Sequence, residues 1–217
     1  MEQENVGLYL GMDISEKYTM ISIYQQHMKE PQTISTIMGS ESYQIPTALA
    51  KKKGVGQWFF GREAKVRVKS GEALGVEDLL DKARTGEEVF LEHEKYAASD
   101  LLAIFLKRVL SLAGSAQAMM PLAKLVICLD KVSVEYMELF SAIMVKLGIE
   151  TDKLLLIDRR ESFYYYALSQ GPETFLHDVV MFDYTESDMV SCRLRRNMHT
   201  TPQVINLDQK NHGKLLD

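Results

Sequence analysis

The sequence predicts an α/β protein with a mixed β-sheet flanked by helices, and three observations predict it. Short segments rich in aliphatic, aromatic and β-branched residues begin the chain and are joined by polar turns, which is typical of antiparallel strands. An amphipathic helical pattern follows at 99–113. Beyond it lie two continuous apolar segments, 125–129 and 154–157, with another helical pattern between them. Such segments indicate parallel strands that are covered on both faces.

Most of the predicted elements have a local signal. The polar turn at 15–17 joins the first two strands into a hairpin. Pro46 excludes a central position for its strand, because proline cannot donate to the sheet ladder. Ser133 can cap a helix that ends at Gly148. The predicted strands are 6–14, 18–24, 32–38, 43–50, 125–129, 154–157, 179–182, 189–194 and 203–207, and the other predicted helices are 61–69, 76–85, 99–113 and 160–169.

Composition and charge narrow the classes of function. Of the 217 residues, 46% are hydrophobic and 25% are charged, as in an ordinary globular protein. The net charge of −5 argues against a nucleic-acid partner, and we interpret Lys51, Lys52 and Lys53 as part of a solvated loop. The sequence has neither an apolar run of about 18 residues nor a basic, apolar leader, so we expect a cytoplasmic protein without a membrane partner. Cys128 and Cys192 lie in apolar segments and are predicted to be buried and reduced.

Four segments carry a resemblance to a known family. They are Gly-Met-Asp-Ile-Ser-Glu-Lys-Tyr-Thr at 11–19, Ile-Pro-Thr-Ala-Leu-Ala at 45–50 with Phe-Gly-Arg-Glu-Ala-Lys at 60–65, the stretch 125–167 with Asp-Arg-Arg-Glu-Ser at 158–162, and Val-Val-Met-Phe-Asp at 179–183. In this order they resemble the nucleotide-binding domain of the seventy-kilodalton heat-shock chaperones, within the actin-like superfamily. The resemblance implies a ribonuclease H-like (actin-like ATPase) fold.

The resemblance also implies how the domain is organised. It covers one lobe, which would occupy 1–217 with a core at about 6–196 and a terminal strand or tail at 197–217. Members of the superfamily clasp their nucleotide between two lobes, and the residues after Leu194 are too few for a second one. We therefore expect the sequence to be the N-terminal part of a longer protein. Its partner would be the missing second lobe or another protein.

The site residues are likewise implied by the resemblance. Asp13 and Asp183 match the aspartates that hold magnesium through water, Glu161 matches a glutamate near the catalytic centre, and Lys82 is the nearest match to the catalytic lysine. The residues that match the two phosphate loops are Ser15, Glu16 and Lys17 in the first, and Tyr184 and Thr185 in the second. Simpler roles are also open. Aspartates after strands often serve turns, and Glu161 and Lys82 suit solvated helix positions.

Both phosphate loops depart from the family pattern where glycine matters. Glycines let the backbone approach phosphates and direct N–H groups at them. Here the side chains of residues 15–17 and 185–187 would crowd that space, and Glu186 would put a negative charge beside a triphosphate. We therefore expect a non-catalytic module for protein interaction or assembly, with weak or no nucleotide binding and no cofactor.

Two other functions remain open at this point. If the retained carboxylates hold magnesium, the chain is the first half of an active Mg-ATP-binding ATPase. A nuclease of the ribonuclease H type would need Asp13, Asp130 and Asp183 to converge on two metal ions, and the negative net charge argues against its substrate. The segment 183–188 is predicted to form a tight turn whose N–H groups bond to its own side chains.

Overall fold

A computed structural model describes residues 7–37, 39–114, 121–170, 172–184, 189–201 and 203–213. The chain divides into two compact units, unit 1 at Met1–Asp158 and unit 2 at Arg159–Asp217. The sequence gives no signal of this division, because no glycine-rich or proline-rich linker separates the two units. Among the described residues, no helix is long and apolar enough to cross a membrane.

Unit 1 combines a mixed sheet with four helices in its described part. Its strands are β1 (Leu8–Ile14), β2 (Tyr18–Tyr24), β3 (Gln32–Thr33), β4 (Ile45–Pro46), β5 (Leu49–Lys52), β6 (Trp58–Phe60), β7 (Ala73–Val76), β8 (Glu88–Leu91), β9 (Glu94–Ala97), β10 (Leu122–Leu129) and β11 (Leu154–Asp158). Its helices are α1 (Gly61–Lys69), α2 (Leu79–Thr85), α3 (Ala98–Ser111) and α4 (Val134–Leu147). A short 3₁₀ turn at Thr151–Lys153 precedes β11.

The main sheet of unit 1 has six strands in the order β11-β10-β1-β2-β3, with β4 also paired to β2. Strands β1, β10 and β11 run parallel, whereas β2 is antiparallel to β1, β3 and β4. The predicted mixed sheet flanked by helices is therefore confirmed. Helix α4 connects β10 to β11, as the two apolar segments with a helical pattern between them predict. Ser133 accepts a hydrogen bond from the Tyr136 N–H at its start, and Gly148 ends it in a left-handed conformation.

The core of unit 1 lies between one face of this sheet and the helices. Alternate residues of β1 are almost completely buried on that face: Leu8, Leu10, Met12 and Ile14. Helices α2, α3 and α4 contribute to the same cluster, and Phe105 of α3 and Phe140 of α4 are its largest fully buried side chains. The amphipathic pattern at 99–113 is thus confirmed as a core helix. Burial of apolar area on this scale is the main favourable term in folding.

Three local predictions for unit 1 are wrong. The predicted strand 32–38 is reduced to Gln32–Thr33, with Met38 outside the described residues. The segment 73–97 contains β7 and the hairpin β8–β9, which were not predicted. In β8 and β9, charged residues interrupt the apolar alternation by which a strand is recognised. Lys51 is not part of a solvated loop but lies in β5 with only 5% of its surface exposed.

Unit 2 consists of one α-helix and an antiparallel sheet in its described part. Helix α5 (Arg159–Ser169) precedes a 3₁₀ turn at Pro172–Phe175 and the strands β12 (Val179–Tyr184), β13 (Met189–Arg196) and β14 (Val204–Asn211). The sheet order is β12-β13-β14. Its small core contains Cys192, Leu194 and Val204, with Tyr164 and Leu168 of α5 packed against it. Both cysteines of the chain are buried and free, as predicted.

Candidate functional site

The turn between β1 and β2, which matches the first phosphate loop, is closed by its own hydrogen bonds. The Ser15 N–H donates to the carbonyl oxygen of Tyr18 at 2.9 Å, and the Tyr18 N–H donates to Ser15 Oγ at 3.2 Å. The Ser15 hydroxyl also donates to the Tyr18 carbonyl at 3.1 Å. Two of the backbone donors at this turn are therefore used within the turn itself.

Glu16, at the tip of the same turn, is bonded to the first turn of α2. The Leu80 N–H donates to Glu16 Oε2 at 3.3 Å, and the backbone of Asp81 donates to the same carboxylate. Asp78, which precedes α2, has a left-handed backbone and makes no side-chain cap. Glu16 thus supplies the acceptor that a capping side chain would otherwise give to the unpaired N–H groups of a helix start.

The pKa of the Glu16 carboxyl is raised by its partly buried position near other acidic residues. Burial raises the pKa of Glu16, and the charges of Asp78 and Asp81 act in the same direction, whereas the two backbone donors lower it. Tyr136 of α4 lies in the same region. Burial also raises the pKa of its hydroxyl. The guanidinium of Arg84, 5.8 Å from the centre of the Tyr136 ring, lowers this pKa.

Lys17 anchors the other side of the turn. Its carbonyl oxygen accepts a hydrogen bond from the Thr47 N–H at 3.1 Å. The hydroxyls of Thr19 and Thr47 are 2.9 Å apart, and both side chains are buried. These contacts hold the turn against the segment that carries Pro46, so the turn is fixed on both sides.

Lys82, the predicted catalytic lysine, lies on α2, the helix that Glu16 contacts. Its ammonium donates to the carbonyl oxygen of Glu77 at 2.9 Å. The structure therefore brings the turn at 15–17 together with the helix that carries Lys82. The ammonium of Lys82 is therefore hydrogen-bonded to the backbone just before its own helix.

Asp13 lies on the less buried face of the main sheet, beside Met20 of β2 and Cys128 of β10 in the strand register. Gly11 is on the same face, where an added Cβ would approach Ser22 Oγ to 2.7 Å. Asp130 follows β10 and is exposed. Among the described residues, no group of three or more His, Cys, Asp or Glu side chains is placed to hold a metal ion.

Unit 2 contains Glu161, the predicted metal ligand Asp183 and the segment that matches the second phosphate loop. Glu161 is in the first turn of α5 and is half-buried. Asp183 and Tyr184 end β12 opposite Val190 and Met189 of the antiparallel strand β13. Thr185 and the rest of the predicted turn, 185–188, lie outside the described residues, so the turn itself stays a prediction.

A cavity of about 10 Å³ in unit 2 adjoins Asp183, and its other lining residues are Arg160, Phe163, Tyr164, Met181 and Cys192. It is about the size of one water molecule, so it has no room for a phosphate group. Burial raises the pKa of the Cys192 thiol, which keeps it protonated and unreactive at neutral pH.

Residues 30–216 match a family whose description is "Family of unknown function (DUF5716) C-terminal". The chain belongs to this family. No curated protein matches the chain. The description of the DUF5716 C-terminal family assigns no activity.

The described part of this DUF5716 domain also has a cleft of about 310 Å³, and its lining includes Ile37, Pro46, Phe60, Arg62 and Leu112. The volume lies at the lower end of the range for small-molecule sites. This cleft was not predicted from the sequence, although Ile45, Pro46 and the Phe-Gly-Arg segment at 60–62 in its lining belong to the resemblance. Gly61 there has φ of +61° and an added Cβ would lie 3.1 Å from Ile45, which explains the glycine.

Proposed function

We propose that this DUF5716 domain is a cytoplasmic, non-catalytic member of the actin-like, ribonuclease H-like fold that serves as a protein interaction or assembly module, with weak or no nucleotide binding. The arrangement of the main sheet supports the fold, because an antiparallel start is followed by parallel strands with a helix between them. The four sequence segments of the resemblance support it independently.

The bonding of Glu16 carries the functional part of the proposal. A phosphate loop has to offer free backbone N–H groups to an anion. At this turn the Ser15 and Tyr18 N–H groups bond within the turn, and the Glu16 carboxylate occupies the N–H groups of Leu80 and Asp81. A triphosphate would have to displace that carboxylate and would meet its charge together with those of Asp78 and Asp81.

Isothermal titration calorimetry with Mg-ATP tests the proposal directly. We expect no measurable heat of binding with the wild-type chain at ATP concentrations up to about 1 mM, which corresponds to binding weaker than about 4 kcal/mol. The Asp13→Ala variant serves as the matched control. Micromolar binding that Asp13→Ala abolishes would contradict the proposal and favour the active ATPase instead. Micromolar binding that survives Asp13→Ala would also contradict it, and would place the nucleotide elsewhere.

The Glu16→Gln variant tests whether ionisation of the Glu16 carboxyl lowers the stability of the folded chain. Because the folded-state pKa of Glu16 is raised, stability falls as the pH rises from the unfolded-state value through the folded-state value, and it stays lower above that. Glutamine keeps an acceptor oxygen without the charge. We therefore expect the variant to unfold at an equal or slightly higher temperature at pH 7.

The difference between the two proteins should disappear below about pH 4, where the glutamate is protonated in both states. Thermal unfolding followed by circular dichroism at several pH values measures this. A variant that unfolds several degrees below the wild type at pH 7 would show that the charged carboxylate stabilises α2.

A further inference from the structure

The cleft of about 310 Å³ in unit 1 lies where three parts of the chain meet. Its walls come from residues 36, 37 and 44–46, from residues 60–63 at the junction of β6 and α1, and from Leu112 directly after α3. The volume corresponds to about ten groups of the size of a water molecule. A cleft of this size suits a small organic molecule. None of the described residues that line it is a predicted site residue.

The apolar side chains of the cleft are only partly covered by the rest of unit 1. Ile37 is 44% exposed, and Pro46, Phe60 and Leu112 are half-buried. Ile45, which also lines the cleft, is buried. A molecule that covers these side chains removes apolar area from water, which is favourable. The cleft therefore favours a ligand with an apolar body.

Two guanidinium groups border this apolar surface. Arg62 lines the cleft, and its Nη2 donates to the hydroxyl oxygen of Ser42 at 2.6 Å. Arg108 lies one turn before Leu112, and its guanidinium is 5.2 Å from the centre of the Phe60 ring. Within the part of the chain that the structure describes, neither guanidinium is paired with a carboxylate. Because a guanidinium has five N–H donors, both groups can accommodate an anion.

The carboxylate of Glu63 also lines the cleft, and it already has a cationic partner. Its Oε1 lies 3.7 Å from Nη2 of Arg67, one turn further along α1. The negative charge in the lining is therefore paired, whereas the positive charges of Arg62 and Arg108 are not. This imbalance favours an anionic ligand, and the planar guanidinium matches the two oxygens of a carboxylate.

We propose that this cleft binds a small organic acid, with its carboxylate bonded to Arg62 and its apolar body against Pro46 and Phe60. The carboxylate joins or replaces the Ser42 hydroxyl as the acceptor, because an ionised acceptor forms the stronger hydrogen bond with a guanidinium. The inference goes beyond the proposed function, since it concerns residues other than the turn between β1 and β2. Either can fail alone, because acid binding and Mg-ATP binding are measured separately.

Two-dimensional proton–nitrogen NMR of the full chain, titrated with octanoate, tests the inference. We expect saturable shifts of the resonances around the cleft, with a dissociation constant of about 0.1–1 mM for a ligand of about ten non-hydrogen atoms. 1-Octanol has the same apolar chain without the charge, and its dissociation constant should be at least about five-fold higher. No saturable shift with octanoate, or equal constants for the two molecules, would overturn the inference.

Matched variants test the role of Arg62. Lys65→Gln removes an exposed cation from the same helix, outside the lining of the cleft. We expect Arg62→Gln to raise the dissociation constant of octanoate at least about five-fold and to leave that of 1-octanol unchanged, whereas Lys65→Gln changes neither by more than about two-fold. Ile37→Ser should weaken the binding of both molecules. Equal effects of the two glutamine variants on octanoate would show that overall charge, and not the cleft, holds the acid.

A short acetylated peptide that ends in leucine tests a second occupant with the same chemistry, the C-terminus of another protein. It presents a carboxylate beside an apolar side chain, as octanoate does, but on a peptide backbone. We expect it to bind no more tightly than octanoate, because the cleft has the volume of a small molecule. Tighter binding of the peptide that Arg62→Gln weakens would assign the cleft to a protein C-terminus and overturn the inference.

Discussion

Replacing Phe105 with alanine is expected to lower the free energy of unfolding by about 3–5 kcal/mol, the largest single loss that we expect within the apolar core. Phe105 lies in the middle of α3, and its side chain is completely buried. It belongs to the cluster that joins the inner face of the main sheet to the helices. Alanine would leave a cavity that the surrounding strand and helix residues cannot fill without moving, because protein interiors are close-packed.

Phe90→Ala is the matched control for this prediction. Phe90 of β8 is 72% exposed, and the ammonium of Lys95 lies 5.9 Å from the centre of its ring. We expect its loss to cost no more than about 1 kcal/mol. Urea unfolding followed through the fluorescence of Trp58, the single tryptophan of the chain, reports on unit 1. Equal costs for the two variants would mean that α3 does not pack as described.

The elements that the sequence predicts well are those whose apolar pattern is long or uninterrupted. Helix α3 shows its stripe over several turns, and β10 is apolar over almost its whole length, so neither depends on distant residues for recognition. The hairpin β8–β9 was missed for the opposite reason. Charged side chains such as Glu88 and Lys95 pair with each other across its strands and hide the strand pattern.

The role of the candidate site stays a prediction. The structure places the turn at 15–17 against α2, the helix that carries Lys82, through the side chain of Glu16. The actual partners of Glu16 could not be predicted, because they are backbone N–H groups 64 residues away and a backbone group leaves no mark in the sequence. Whether Asp13, Glu161 or Asp183 has a role as a ligand stays a prediction.

Lys51 shows how a composition-based interpretation fails. Three consecutive lysines suggest a solvated loop, but alternate residues of a strand point to opposite sides, so the lysines at 51 and 52 have different environments. Lys52 is exposed, whereas Lys51 is buried. The partners that make burial tolerable, Glu92 and Glu94, lie in the hairpin that the sequence did not reveal.

The contacts of Lys51 satisfy its charge from several sides. Its ammonium forms an ion pair with Glu94, lies 3.8 Å from Glu92 Oε2, and is 5.4 Å from the centre of the Tyr96 ring. The hydrogen bond from Lys51 lowers the pKa of Glu94 below its usual value. The rings of Trp58 and Tyr96 are nearly perpendicular, and their centres are 5.5 Å apart. Together these residues connect β5 and β6 to β9.

Lys51→Glu is therefore expected to lower the midpoint of thermal unfolding by on the order of 10 °C. The substituted carboxylate would be buried beside Glu92 and Glu94, which have the same charge and would lose the ammonium that they now contact. Lys52→Glu makes the same change of charge at the neighbouring, exposed position and should shift the midpoint by no more than about 2 °C. Circular dichroism of both variants at pH 7 measures the difference. If the two midpoints fall by the same amount, Lys51 is as solvated as its neighbour, and the connection between β5 and β9 does not depend on it.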